Sequence, residues 1–196
     1  MSDSLEKEKT KKIDLGAKVA SYPMPVTLIG ANVNDKPNFM VAAWFMAAGI
    51  NPPKAAIALN KLHYTNAGIK ENKTFSICIP SWDQVNATDY CGLVSGSKAD
   101  KSEVFDVFYG KLKSAPMISE CPLNMECKLE KIVDSGGHEI FLGEIVSTIT
   151  EEKFLTEGAV DPKKVNPLLL SLNDRFYYEL GEAKAKAWSV GKNYKP

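Results

Sequence analysis

Residues 124–149 read NMECKLEKIVDSGGHEIFLGEIVSTI. Met125, Cys127 and Leu129 alternate with Glu126, Lys128 and Glu130, the two-residue period of a strand with one buried face, here Asn124 to Val133. Ser135-Gly136-Gly137 is a turn signal, and His138 to Ile149 returns as the antiparallel partner.

The chain upstream repeats this theme. Val26 to Val33 reads as a strand, Asn34-Asp35-Lys36-Pro37 as a turn, and Asn38 to Ala47 as a second strand. Pro52-Pro53 breaks the chain before a third strand, Ala55 to Leu59. Thr65 is placed to cap a short helix from Asn66 to Glu71. Thr74 to Ile79 alternates as a strand and ends at Pro80. A helix from Asp83 or Asn86 runs to Val94, and another is expected over Ser102 to Phe108. Residues 151–174 read as irregular, Arg175 to Leu180 as a last strand, and residues 181–196 as a C-terminal arm. The fold class is therefore mainly β, an antiparallel barrel with short helical insertions. No strand–Gly-x-Gly-x-x-Gly–helix unit or phosphate-binding P-loop supports a parallel doubly wound sheet.

A chain of 196 residues suits one domain, taken as residues 14–196, behind a charged N-terminal tail of residues 1–13. Lys and Arg total 24, as do Asp and Glu, so no global field favours nucleic acid or a membrane surface. The N-terminus has no apolar signal region, and the longest apolar run, Met40 to Ile50, is too short to span a bilayer. A cytoplasmic location is expected. Cys78, Cys91, Cys121 and Cys127 form no Cys-x-x-Cys pair and read as free, buried thiols. With His63 and His138 the only histidines, the spacing of a metal site is missing.

Three segments have the composition of a binding site. In Ala43-Trp44-Phe45-Met46, small residues flank large ones, so a flat ligand can approach the backbone. Asn60, Lys61, Tyr64 and Thr65 sit where a strand end meets a helix start, whose free amides suit a phosphate. Ser95, Gly96, Ser97, Lys98 and Lys101 combine hydroxyls, a flexible glycine and ammonium groups able to wrap an anion. Taken singly, each also reads as something ordinary: a barrel strand, a helix cap and a solvated loop. His63 adjoins the second segment and reads equally well as a structural histidine, and Cys91 reads as a core thiol.

In order along the chain, these segments resemble the flavin reductase-like family, in its flavoredoxin form. The resemblance runs from Leu15-Gly16-Ala17-Lys18 through Tyr22-Pro23-Met24-Pro25-Val26, Ala42-Ala43-Trp44, Pro52-Pro53 and Tyr64-Thr65. It continues through Asp89-Tyr90-Cys91-Gly92, Ser95-Gly96 and Asp100-Lys101 to Phe141-Leu142-Gly143-Glu144-Ile145 and Leu180-Gly181-Glu182. It implies a Greek-key split barrel binding FMN, and a homodimer with the flavin near the subunit interface. Ala43 to Met46 would then lie along the isoalloxazine edge. Asn60, Lys61, Tyr64 and Thr65 would face the ribityl phosphate, with Ser95 to Lys101 closing over it. Trp188 on the C-terminal arm would cover the flavin or the partner. Asn60 departs from relatives that carry Arg or Ser there, and residues 151–173 match poorly.

The implied activity is hydride transfer from NAD(P)H to flavin N5 and passage of electrons to an acceptor, with no catalytic side chain required. The alternative is an FMN electron carrier reduced by a redox-protein partner. A barrel that only binds a ligand would explain the strands but not the ordered segments.

Overall fold

Seven strands form one antiparallel sheet in the computed structural model, which describes residues 12–19 and 22–194. The expected tail of residues 1–13 lies outside the described residues except for Lys12 and Ile13. The strands are β1 (Thr27–Val33), β2 (Lys36–Ala42), β3 (Phe45–Ile50), β4 (Pro53–Asn60), β5 (Thr74–Ile79), β6 (Leu123–Ser135) and β7 (His138–Thr150).

Their order across the sheet is β2-β1-β5-β6-β7-β4-β3. The two edge strands, β2 and β3, are consecutive in sequence and joined only by Ala43 and Trp44. Three Cα–Cα steps reach no further than about 11 Å. A sheet whose opposite edges are tied so closely has to curl until they meet, and the connectivity itself closes the barrel. Before the join, Thr27 Oγ1 of β1 donates to the Ala42 carbonyl at 2.7 Å. After it, Ala58 N–H of β4 donates to the Trp44 carbonyl at 2.9 Å. The chain changes partners within those residues, and the barrel is split there.

Strands β1 and β5 are buried on both faces. Inside the barrel, Ile29, Ala31, Ile57, Leu59, Phe75, Ile77 and Phe141 pack together. On the outer face, Leu28, Phe39, Cys78, Cys91, Phe105, Met117 and Ile118 form a second core. The outer cover is the helix α2 (Val85–Leu93) and the segment that follows it. The helix α1 (Thr65–Asn72) lies on β1 at Gly68, where an added Cβ would meet the Asn32 carbonyl oxygen at 2.1 Å. That closeness fixes where the N-terminus of α1 stands.

Both expected hairpins form. Asn34 and Asp35 make the first turn with φ of 51° and 61°, the backbone that a two-residue hairpin turn needs. Pro37 falls in β2, an edge strand, where its missing N–H is tolerated. The second hairpin turns at Gly136-Gly137, with Ser135 opposite His138.

Four expectations need correction. Asn38 to Ala47 is not one strand, because the chain switches neighbours at Ala43-Trp44. Thr65 does not cap α1: Tyr64 holds that position, and the Thr65 hydroxyl instead accepts from Asn38 Nδ2 at 2.6 Å. Residues 102–108 form a single 3-10 turn, Ser102–Val104, and a short strand, Val107–Phe108, paired with Met117–Ile118. Residues 151–174 are more ordered than expected. Asp161 caps a four-residue helix, Pro162–Val165, and Leu169–Ser171 pairs with both Met24–Pro25 and Phe176–Tyr178.

Gly68→Ala should push α1 off β1 and cost about 1–3 kcal/mol in urea unfolding. Gly137→Ala, where an added Cβ meets nothing within 4 Å, should stay within about 0.5 kcal/mol of the parent. Equal effects would show that the contact at Asn32 relaxes freely.

Candidate functional site

A trough runs along the outer side of β2 from the split. One end, about 230 Å³, is lined by Met40, Ala43, Trp44, Asn60, His138 and Leu172, among others. The middle, about 260 Å³, is lined by Val41, His63, Tyr64, Thr65, Cys91 and Lys101 among its residues. Met40, Val41 and His63 belong to both parts, so the two are continuous. Past Tyr64 and Gly96 the trough opens into a polar cavity of about 390 Å³, where Asn38, Ser97, Lys98 and Lys101 stand.

Each wall has a structural cause. The loop 60–64 is held by the tip of the second hairpin: Lys61 N–H donates to the Gly137 carbonyl at 3.1 Å, and the Lys61 ammonium pairs with Asp134. Within the loop, the Asn60 carbonyl accepts from His63 N–H at 3.1 Å and from Asn66 Nδ2 at 2.9 Å. The loop 95–101 folds on itself, with Lys98 N–H and Ala99 N–H both donating to the Ser95 carbonyl. Ser95 and Ser97 share a hydroxyl bond of 2.9 Å. Gly96 is needed here, because an added Cβ would meet Asn38 Oδ1 at 1.9 Å. The third wall is the covering ribbon Leu169–Ser171/Phe176–Tyr178, which brings Leu170 and Leu172 over the end with Trp44.

The middle and the Trp44 end of the trough hold basic groups, while Asp100, paired with Lys36, stands at the polar mouth. Lys101 is buried, and its ammonium donates to the Cys91 carbonyl at 2.7 Å. Burial lowers its pKa, partly countered by the Cys91 thiol. Burial raises the Cys91 thiol in turn. His63, exposed on its loop, is lowered first by partial desolvation, then by Lys101 and His138. The His138 ring lies 4.8 Å from Trp44 at 45°. Among the described residues, no carboxylate lines the middle or the Trp44 end. Three basic groups without a counter-ion, beside an aromatic and aliphatic slot, fit a flat ligand with an anionic end.

The structure brings together Ala43, Trp44, Asn60, Tyr64, Thr65, Ser95, Gly96 and Lys101 in the continuous trough, and Ser97 and Lys98 at its polar mouth. Phe45 and Met46 instead line a neighbouring apolar cavity of about 270 Å³ with Tyr22 and Met24, reached past Ala43 and Trp44. Lys61 turns to Asp134. Trp188 is 96% exposed and lines none of these cavities. Sequence reasoning missed His138, Leu170 and Leu172. The hairpin sets His138 opposite Ser135, and only the long-range register of β7 against β4 brings it opposite Asn60, so no local signal marked it.

Residues 19–178 match the flavin reductase-like domain. The chain belongs to the flavin reductase-like family. Among solved structures, flavoredoxin from Methanosarcina acetivorans is 46% identical, with a TM-score of 0.91 over 93% of this chain and 98% of that one. Flavoredoxin of Desulfovibrio vulgaris is 37% identical, with a TM-score of 0.85 over 93% and 100%. An NADH-dependent FAD reductase of Streptomyces globisporus is 23% identical over 69% of this chain and 75% of its own length. The fold is thus the split barrel shared with these flavoredoxins, in a flavin-binding family. No helix among the described residues is long and apolar enough to cross a membrane.

The covering ribbon is latched to α2 by Tyr177, whose hydroxyl donates to Asp89 Oδ1 at 2.8 Å. Burial, then Asp89, pushes Tyr177 up to about 12. Tyr177→Phe should cost about 1–2 kcal/mol and speed hydrogen exchange at Leu169–Ser171. Unchanged exchange there would show that the ribbon is held by its strand pairing alone.

Proposed function

We propose that the trough binds FMN and that the protein is a flavin reductase of the flavoredoxin type. The observation that carries this is the basic wall without a counter-ion, the Lys101 ammonium with the His63 and His138 imidazoles, beside the slot under Trp44. Lys101, with Lys98 and the Ser95–Ser97 hydroxyls at the mouth, would hold the phosphate. The backbone of Ala43 and Trp44 would meet the ring edge, while Leu170 and Leu172 keep water from its face. When bound, the flavin would accept a hydride from NAD(P)H at N5 and release electrons to an acceptor. The protein's part is to place the ring and control access to it.

A second reading, a flavin electron carrier reduced by a redox protein, is favoured by the higher likeness to flavoredoxins than to the NADH-dependent relative. Mixing with NADH and NADPH separates the two. Rapid bleaching of the bound flavin supports the reductase, and failure with both supports the carrier. We read residues 14–196 as one functional unit acting as a homodimer. Exposed Met46 and Ile50 on the edge strand β3, and Trp188 on its arm, suit burial by a second copy. Four free, buried cysteines suit a cytoplasmic setting.

The visible spectrum of the purified protein, and the flavin released on denaturation, test the cofactor directly. FMN is expected; FAD, or no uptake of added flavin, would overturn the assignment. Lys101→Met should weaken FMN binding at least tenfold, since charge-assisted contacts are worth about 1.5–3 kcal/mol. Riboflavin, which lacks the phosphate, should bind the variant and the parent alike. Lys61→Ala should change FMN affinity less than about threefold, because that ammonium already faces Asp134. The reverse ranking would move the phosphate to the hairpin tip.

A further inference from the structure

The trough holds both of the chain's histidines, and the role given to Lys101 leaves their placement unexplained. His63 lies where the phosphate half joins the ring half, since it lines both. Its backbone is fixed by the bond to Asn60, and α1 starts directly after it. Lys101 faces it from the loop after α2, His138 from β7, and the Cys91 thiol from α2. Tyr64 is adjacent on its own loop and bonds Asn34 through its hydroxyl. Nearby charges are already satisfied elsewhere: Lys61 by Asp134, and Lys70 by Glu139 at 2.8 Å. No carboxylate lining these two parts of the trough supports a charge on His63.

We propose that His63 is a further ligand-binding residue whose contact is proton-linked: an imidazolium forms there as the flavin phosphate enters. This rests on the flavin reading of the trough. The proton comes from solvent, and no bond other than N–H is made.

The sign follows from the surroundings. Without an anion, partial desolvation, Lys101 and His138 all oppose protonation of His63. The folded protein then binds fewer protons than the unfolded chain, so it loses stability as pH falls through about 6.5. An anion between Lys101 and His63 offsets their repulsion and raises the pKa of His63. Binding then takes up to one proton, and affinity falls as pH rises across the window between the two values. The phosphate's own second ionisation, near pH 6, acts in the opposite direction by strengthening binding as pH rises.

The test is FMN affinity from flavin fluorescence between pH 6 and 8, for the parent, His63→Gln and His138→Gln. The parent dissociation constant should rise about tenfold over this range. In His63→Gln it should stay level or fall. His138→Gln should keep the rise and move it to higher pH. Identical parent and His63→Gln profiles would overturn the proposal. NMR of the two histidines in the parent protects the test if His63→Gln folds poorly. The His63 midpoint should move up on adding FMN and, at higher concentration, inorganic phosphate. A midpoint unmoved by bound FMN would overturn the proposal while leaving the flavin site standing. Absence of FMN binding at every pH would overturn the flavin reading and this inference with it.

Discussion

The two-residue join at Ala43-Trp44 constrains everything else in this molecule. It ties β2 and β3, the opposite edges of a seven-stranded sheet, at a distance no extended chain could relax. The barrel closes because the covalent chain allows nothing flatter. Closure by a short link leaves a defect, for the backbone at the join cannot stay paired with β1 and β4 at once. Ala42 remains bonded to Thr27, and Trp44 already belongs to Ala58. Between these bonds the main chain turns along the end of the trough, where Ala43 and Trp44 line the cavity. The same feature that makes the barrel supplies its binding edge.

A binding edge needs walls that stay in place, and distant parts of the sequence supply them. The tip of the β6–β7 hairpin grips the loop 60–64 through Gly137 and Asp134. The contact of Gly68 with Asn32 sets α1 at the other end of that loop. Asn38 reaches from β2 to Thr65, and its side chain leaves no room for a Cβ at Gly96. Three separate elements therefore fix His63, Thr65 and Gly96 relative to β2. Lys101 is held more strongly still, because a buried ammonium is costly unless its donors are used. Its bond to the Cys91 carbonyl uses one and leaves others for a ligand.

Local chemistry made much of this legible in the sequence. The alternation in residues 124–149, the Gly-Gly turn and the Asn-Asp turn each carry a short-range cause, and both hairpins formed as expected. The segments around Trp44, Tyr64 and Gly96 did converge, because each sits at a strand end or a loop. The failures share a different cause. Nothing local in Asn38 to Ala47 reveals that the chain changes neighbours midway, since that depends on where β1 and β4 stand. Lys61 read as a phosphate ligand because its partner, Asp134, is 73 residues away. Leu170 and Leu172 were hidden in a segment whose short strand gains order by pairing with Met24 and Pro25 far upstream and with Phe176–Tyr178.

The distribution of charge carries the argument from architecture to chemistry. The chain as a whole is neutral, with 24 basic and 24 acidic residues. Ion pairs are nevertheless placed away from the middle and the Trp44 end of the trough: Lys36 with Asp100 at the polar mouth, Lys54 with Glu130, Lys61 with Asp134, and Lys70 with Glu139. In those two parts, Lys101, His63 and His138 stand without a carboxylate. Lys101 and partial desolvation oppose protonation of His63 until something anionic arrives, so the cost of that placement becomes a preference for the ligand. Position then matters more than number. A lysine that is exposed and already paired adds little, whereas a buried one beside a histidine makes the trough respond both to the ligand's charge and to the proton concentration around it.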